Sequence, residues 1–203
     1  MKNSILTILA VAALASCEKK ETTNVNNSAD STSVAADTTM PATTDSATAG
    51  ADTATAATDL SDQDKKFADA AATGGMMEVM AGELASANGT NASVKTLGAM
   101  MIKDHTKANN ELKSWAGTAG YKLPTTLTPE QQTIYDNLKS KKGAEFDRAY
   151  ADVMVTDHKK VIAEFKKQST EGKEASLKAF ASKTIPALEH HLMESEKTKE
   201  AVK

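Results

Sequence analysis

From about residue 61 onward, apolar positions return at steps of three and four. Val94, Leu97, Met101, His105, Ala108, Leu112 and Trp115 fall on one face of a helix from about Asn91 to Thr118. Phe146, Tyr150, Met154, His158, Val161 and Phe165 form a similar stripe from about Ala144 to Gln168. Leu177, Ala181, Leu188 and Leu192 do so from Lys173 to about Lys199. An earlier helix starts at Ser61 or Asp62, either of which can cap it, and runs to about Ala87, where Asn88-Gly89 signals a turn. Gly120 to Leu127 is a connecting loop. Thr128-Pro129-Glu130-Gln131 then has the order of a capping box with proline at the first helical position, and opens a short helix ending near Gly143. Pro186 lies inside the last helix and is expected to kink it.

Four amphipathic helices of roughly 26 residues, about 40 Å each, can bury their stripes only against one another. The expected fold is all-α: a four-helix bundle, with the short extra helix in the crossover between its second and third long helices. Scarce aromatics and abundant Ala and Lys agree with helices rather than sheets.

The first sixty residues follow no such pattern. Lys2 is followed by an apolar run from Ile5 to Leu14, too short for an ordinary membrane span. It ends in Leu14-Ala15-Ser16-Cys17, which resembles the lipobox cut by lipoprotein signal peptidase. Residues 1–16 are therefore expected to be a removed signal, and Cys17, the single cysteine, the lipidated N-terminus that anchors the chain to a membrane. Glu18 after the cysteine favours the outer membrane by resemblance to Gram-negative sorting rules. The rest of 17–60 is rich in Thr, Ala, Ser and Asp, too polar to offset the entropy of ordering. It is expected to be a disordered tether spanning on the order of 35 Å. Residues 61–203 carry the bundle. They hold 21 basic residues against 20 acidic ones, a balance that gives no sign of a nucleic-acid partner. Protein partners are not indicated.

All four histidines fall on the predicted helices. Met101-Ile102-Lys103-Asp104-His105 is echoed by Met154-Val155-Thr156-Asp157-His158. In each phrase Met and His are four apart and share the apolar stripe, so both histidines should point inward. The echo suggests an internal repeat, with the two imidazoles at similar depth on neighbouring helices. In Glu189-His190-His191, His191 follows Leu188 by three and is the more inward. Glu78 lies among Gly74, Gly75 and Gly82, which implies close packing or room left for something. Glu78, His105, His158 and His191 together have the composition of a metal site in a bundle core. Met101, Met154, Asp104 and Asp157 are possible additional ligands. Buried histidines bonded to an ordinary polar partner are the alternative, and would make the domain a structural or protein-interaction module. Glu-x-x-His, the di-iron pattern, is absent, since Ile102, Val155, Ala187 and Leu188 stand three before the histidines. Histidine with nearby methionine suits copper better. Storage, sensing or stress protection are the roles such a site suggests. No catalytic motif is evident.

One set of residues supports a resemblance: Gly75-Met76-Met77-Glu78, Val94-Lys95, Met101-x-x-Asp104-His105, Phe146-Asp147-x-x-Tyr150, Asp157-His158 and Pro186-x-x-x-x-His191-Leu192. Through them, Phe67 to about Lys197 resembles a ferritin-like family of unknown function in bacterial envelope proteins, often called predicted outer membrane proteins. The resemblance implies a ferritin-like bundle and makes His191, not His190, the family position. It implies no reaction.

Overall fold

The computed structural model describes residues 60–203; the signal, Cys17 and all of the tether except Leu60 lie outside the described residues. Leu60 itself is buried, so the packed part starts one residue earlier than the pattern implied. The described chain is all-helical. Its elements are α1 (Asp62–Asn88), α2 (Ala92–Ala119), α3 (Pro129–Ser140), α4 (Gly143–Glu171) and α5 (Ala175–Ala201).

Several helix ends have a local cause. Ser61 caps α1, its hydroxyl accepting from the Asp64 N–H at 3.1 Å. Gly120, at φ 64°, ends α2 in the left-handed conformation that glycine adopts without strain. The expected capping box is complete on α3, where Thr128 and Gln131 bond each other's backbone N–H. α5 begins two residues later than the pattern suggested, because the Glu174 side chain accepts from the Leu177 N–H and acts as its cap. α5 runs unbroken through Pro186.

α1 packs chiefly on α2 and α4 chiefly on α5, making two antiparallel hairpins. They join through α2 against α5 and α1 against α4, while α3 lies over α1 and α4. The cyclic order is α1–α2–α5–α4. The two helices that share the Met-x-x-Asp-His phrase, α2 and α4, therefore sit across the core from each other. They are not the neighbours that the repeat implied, because hairpin pairing places each beside α1 and α5.

Two buried aspartates fasten the hairpins at opposite ends. Asp147, in the second turn of α4, accepts from the Thr90 N–H (3.0 Å), the Asn91 N–H (2.9 Å) and the Thr90 hydroxyl (2.5 Å) in the α1–α2 turn. Asp64, on the first turn of α1, accepts from the Gln168 amide (2.6 Å) and from the N–H groups of Lys173 (3.2 Å) and Glu174 (3.3 Å) in the α4–α5 turn. Burial alone would raise the Asp64 carboxyl; the bonds from Ser61, Gln168, Glu174 and Lys173 outweigh it and hold the group below the ordinary aspartate range.

The core has two apolar clusters. One holds Met77, Leu97, Met101, Leu138, Phe146, Tyr150 and Met154. The other holds Phe67, Leu112, Ile162, Phe165, Leu177 and Leu188. Between the two sets lie buried polar residues, His105 on α2, His158 on α4 and His191 on α5, and Glu78 on α1 follows directly on Met77 of the first set. Gly82 and Gly98 lie where α1 and α2 touch. A Cβ at Gly82 would stand 2.7 Å from the Gly98 carbonyl oxygen, so glycine is required for that approach.

Candidate metal centre

The four polar side chains meet in a layer between the apolar clusters. The ring centroids are 5.8 Å apart for His105 and His158, 5.2 Å for His105 and His191, and 5.3 Å for His158 and His191. One ring nitrogen from each histidine lies within 4.8 Å of those from the other two. His158 is fully buried, and His105 and His191 are 6% and 2% exposed. His190 is exposed, as its register relative to Leu188 requires.

The outer nitrogen of each ring has a partner that can only accept. His105 Nδ1 stands 2.9 Å from the Glu78 carboxylate. His158 Nδ1 stands 2.9 Å from the Met154 carbonyl and 3.4 Å from Glu78. His191 Nε2 stands 3.1 Å from the Asp104 carboxylate. A ring nitrogen facing a carboxylate or carbonyl carries the hydrogen and donates it, so in a neutral imidazole the other nitrogen bears the lone pair. Those other nitrogens are His105 Nε2, His158 Nε2 and His191 Nδ1. All three are buried and none has a hydrogen-bond partner. Buried polar atoms are rarely left so, and three together in one layer could be satisfied by a hydrogen-bond donor or by a metal ion.

Electrostatics follow from the same contacts. Burial would raise the Glu78 carboxyl, but the neighbouring imidazoles, His105 above all through its charge and its hydrogen bond, overcome it and bring the group down to about 2. Burial lowers His105, yet the Glu78 carboxylate beside it leaves its imidazole above the ordinary range. His158 is lowered by burial, only partly offset by Glu78. His191 is lowered to about 4 by burial, against the opposing bond to Asp104. Two of the three rings are thus held neutral, the state that ligates metal.

The residues expected at the site divide accordingly. His105, His158 and His191 present converging nitrogens. Glu78 turns Oε2 to Nδ1 of His105 and so orients that ring, while its Oε1 lies 3.4 Å from Nδ1 of His158 and makes no hydrogen bond. Asp104 does the same for His191 from a partly exposed position. Asp157 is pushed up to about 7 by burial and by the nearby Glu78 carboxylate. Met101 and Met154 belong to the apolar cluster on one side of the layer. Met154 meets His158 through its main-chain carbonyl.

Sequence reasoning put Tyr150 on the buried stripe and among the family residues but not near the site. It is fully buried, its hydroxyl has no partner, and burial together with the Glu78 charge raises it far above the ordinary tyrosine range. The available signal was its spacing, two helical turns before His158 on the same stripe. It also missed Asp147 and Asp64, whose acceptor roles depend on turns distant in sequence.

The family described as a domain of unknown function, DUF4142, matches residues 49–198, well over half of the chain. No curated protein and no solved structure matches it.

Proposed function

The chain belongs to the DUF4142 family, and for it we propose a ferritin-like four-helix bundle that holds one transition-metal ion on His105, His158 and His191. The observation that supports this is the set of three converging, buried, partnerless nitrogens, each on a ring whose other nitrogen faces an acceptor. That carboxylate–histidine arrangement is how proteins orient metal-ligating imidazoles and raise their basicity. A merely structural polar core would be expected to pair those nitrogens with donors. Three imidazoles suit zinc and copper. A pair of irons wants bridging carboxylates, and the Glu-x-x-His pattern that supplies them is absent from the sequence. Copper is the ion we favour, for storage, sensing or protection against metal stress. Protein purified without a histidine tag and dialysed against copper and zinc in turn should retain about one ion per chain by elemental analysis. Retention of neither would overturn the proposal.

The anchor is proposed from the sequence. Cys17 at the end of a short apolar run would carry lipid and hold the domain at the cell envelope, at the outer membrane by the Glu18 rule, on the tether of residues 17–60. No helix among the described residues is long and apolar enough to cross a membrane. A fatty-acid analogue fed to cells should label the wild type and not Cys17→Ser; equal labelling of both would end this reading.

A further inference from the structure

Resting on the metal reading above, we propose that Asp104 and His190 form an outer landing site on the seam of α2 and α5, from which the ion passes to the buried centre by way of His191. The centre needs a way in, since its three rings are all but closed to solvent.

The acceptors behind the rings differ in one respect. The Glu78 side chain, on His105, is 2% exposed, and the Met154 carbonyl meets His158 in a buried hydrogen bond. The Asp104 side chain, on His191, is 36% exposed. His191 is thus the one ligating ring whose partner meets water. His105 is itself 6% exposed, but the small cavity in whose wall it stands is mainly apolar, with Phe67, Leu112, Phe165 and Leu188. An ion there would give up water without replacement. A route lined by ligands has no such cost.

Helix register puts a second ligand at the mouth of that route. Lys183 of α5 holds Glu111 of α2 at 3.0 Å, and His191 meets Asp104 at 3.1 Å, so the two helices run antiparallel. Asp104 and Glu111 are seven residues apart, two turns of helix, and share a face of α2; Lys183 and His190 have the same spacing on α5. His190 therefore stands level with Asp104, as Lys183 does with Glu111. It is exposed, and its ring lies 6.5 Å from that of His191, centroid to centroid. That is a step of a few ångströms for an ion whose bonds to nitrogen are about 2 Å long. Imidazole and carboxylate are both ligands that copper and zinc accept. An ion held on Asp104 competes with His191 Nε2 for the carboxylate. Its arrival loosens the bond that fixes the ring, and the ring can turn and take the ion on Nδ1.

The test follows Cu(II) on the whole chain purified without a histidine tag, with uptake measured by stopped flow and release measured into excess ethylenediaminetetraacetate. A residue on the path but outside the final site changes the barrier and neither end state, so it alters uptake and release by the same factor. His190→Ala should slow both by about tenfold, the effect of removing one interaction from a barrier. Its dissociation constant should stay within about twofold of wild type. The position is exposed, so the variant should fold as the wild type does. Asp104→Asn should slow uptake and also weaken binding, because the His191 ring loses its charged acceptor. Copper that binds but exchanges at the wild-type rate in His190→Ala overturns the landing site while leaving the metal reading intact. A large loss of affinity in His190→Ala would make it a ligand of the final site and overturns the proposal as well. Failure of the wild type to bind copper removes the metal reading and this inference together.

Discussion

Replacing His105 and His158 together with alanine should abolish all metal-dependent stabilisation of the domain. The wild type should gain about 2.7 kcal/mol at a hundred-fold excess of free ion over the dissociation constant, which for a domain of this size raises Tm by roughly 5–10 °C. The double variant should gain nothing. The comparison belongs within each protein, with and without metal, because removing His105 also leaves Glu78 buried without its closest partner, a loss that destabilises by itself. Glu78→Gln should fall between the two. It preserves shape but weakens the acceptor behind His105, and changes of that kind cost about 10–100-fold in metal affinity. Acid should release the ion in a definite order. His105 sits above the ordinary histidine range, so as pH falls through its raised value a proton competes for its inner nitrogen first. His158 and His191, both lowered, stay neutral further into acid. Metal-dependent stabilisation should therefore be present at neutral to alkaline pH and fade on acidification. Equal thermal shifts in the wild type and the double variant would place the ion elsewhere.

Asp147→Ala should destabilise the apo-domain by about 3 kcal/mol, since hydrogen bonds to charged groups contribute about 1.5–3 kcal/mol each and several are lost at once. The carboxylate is buried and holds the α1–α2 turn onto α4 through two backbone N–H groups and a hydroxyl. Asp64 does the equivalent work at the other hairpin end, and there the pH dependence has a sign. Its carboxyl is depressed in the folded state, so its contribution is present above the unfolded aspartate value and is lost as pH falls through the folded one. Urea titrations should show wild-type stability declining below about pH 4, and declining less in Asp64→Asn, which cannot titrate. A loss under about 1 kcal/mol in Asp147→Ala would mean that water replaces the carboxylate at the turn without penalty.

Much of this protein is legible in local pattern. The helical stripes of α2, α4 and α5 reflect a period of 3.6 that any buried helix must show, and Thr128-Pro129-Glu130-Gln131 marks a helix start because its bonds close within four residues. The same period put His105 and His158 on inward faces and separated His191 from exposed His190. The three glycines of α1 also announced an unusual surface. Pattern could not separate Gly75 and Gly82, which admit Asn109 and α2, from Gly74, which faces open space, because that difference lies in the neighbours.

Tertiary structure decided what depends on partners distant in the chain. The echo of Met-x-x-Asp-His suggested adjacent helices, but hairpin packing puts α2 and α4 across the core, and their histidines meet because the core is only a few side chains wide. Which nitrogen of each ring faces inward is set by Glu78, the Met154 carbonyl and Asp104, and Glu78 and Asp104 come from other helices than the rings they bond. Nothing local sets Asp64 and Asp147 apart from the other acids near helix starts; their role appears only when the turns they fasten, 109 and 57 residues away, fold against them. Periodicity fixes which face of a helix is buried; only the packing of the other helices fixes what that face meets.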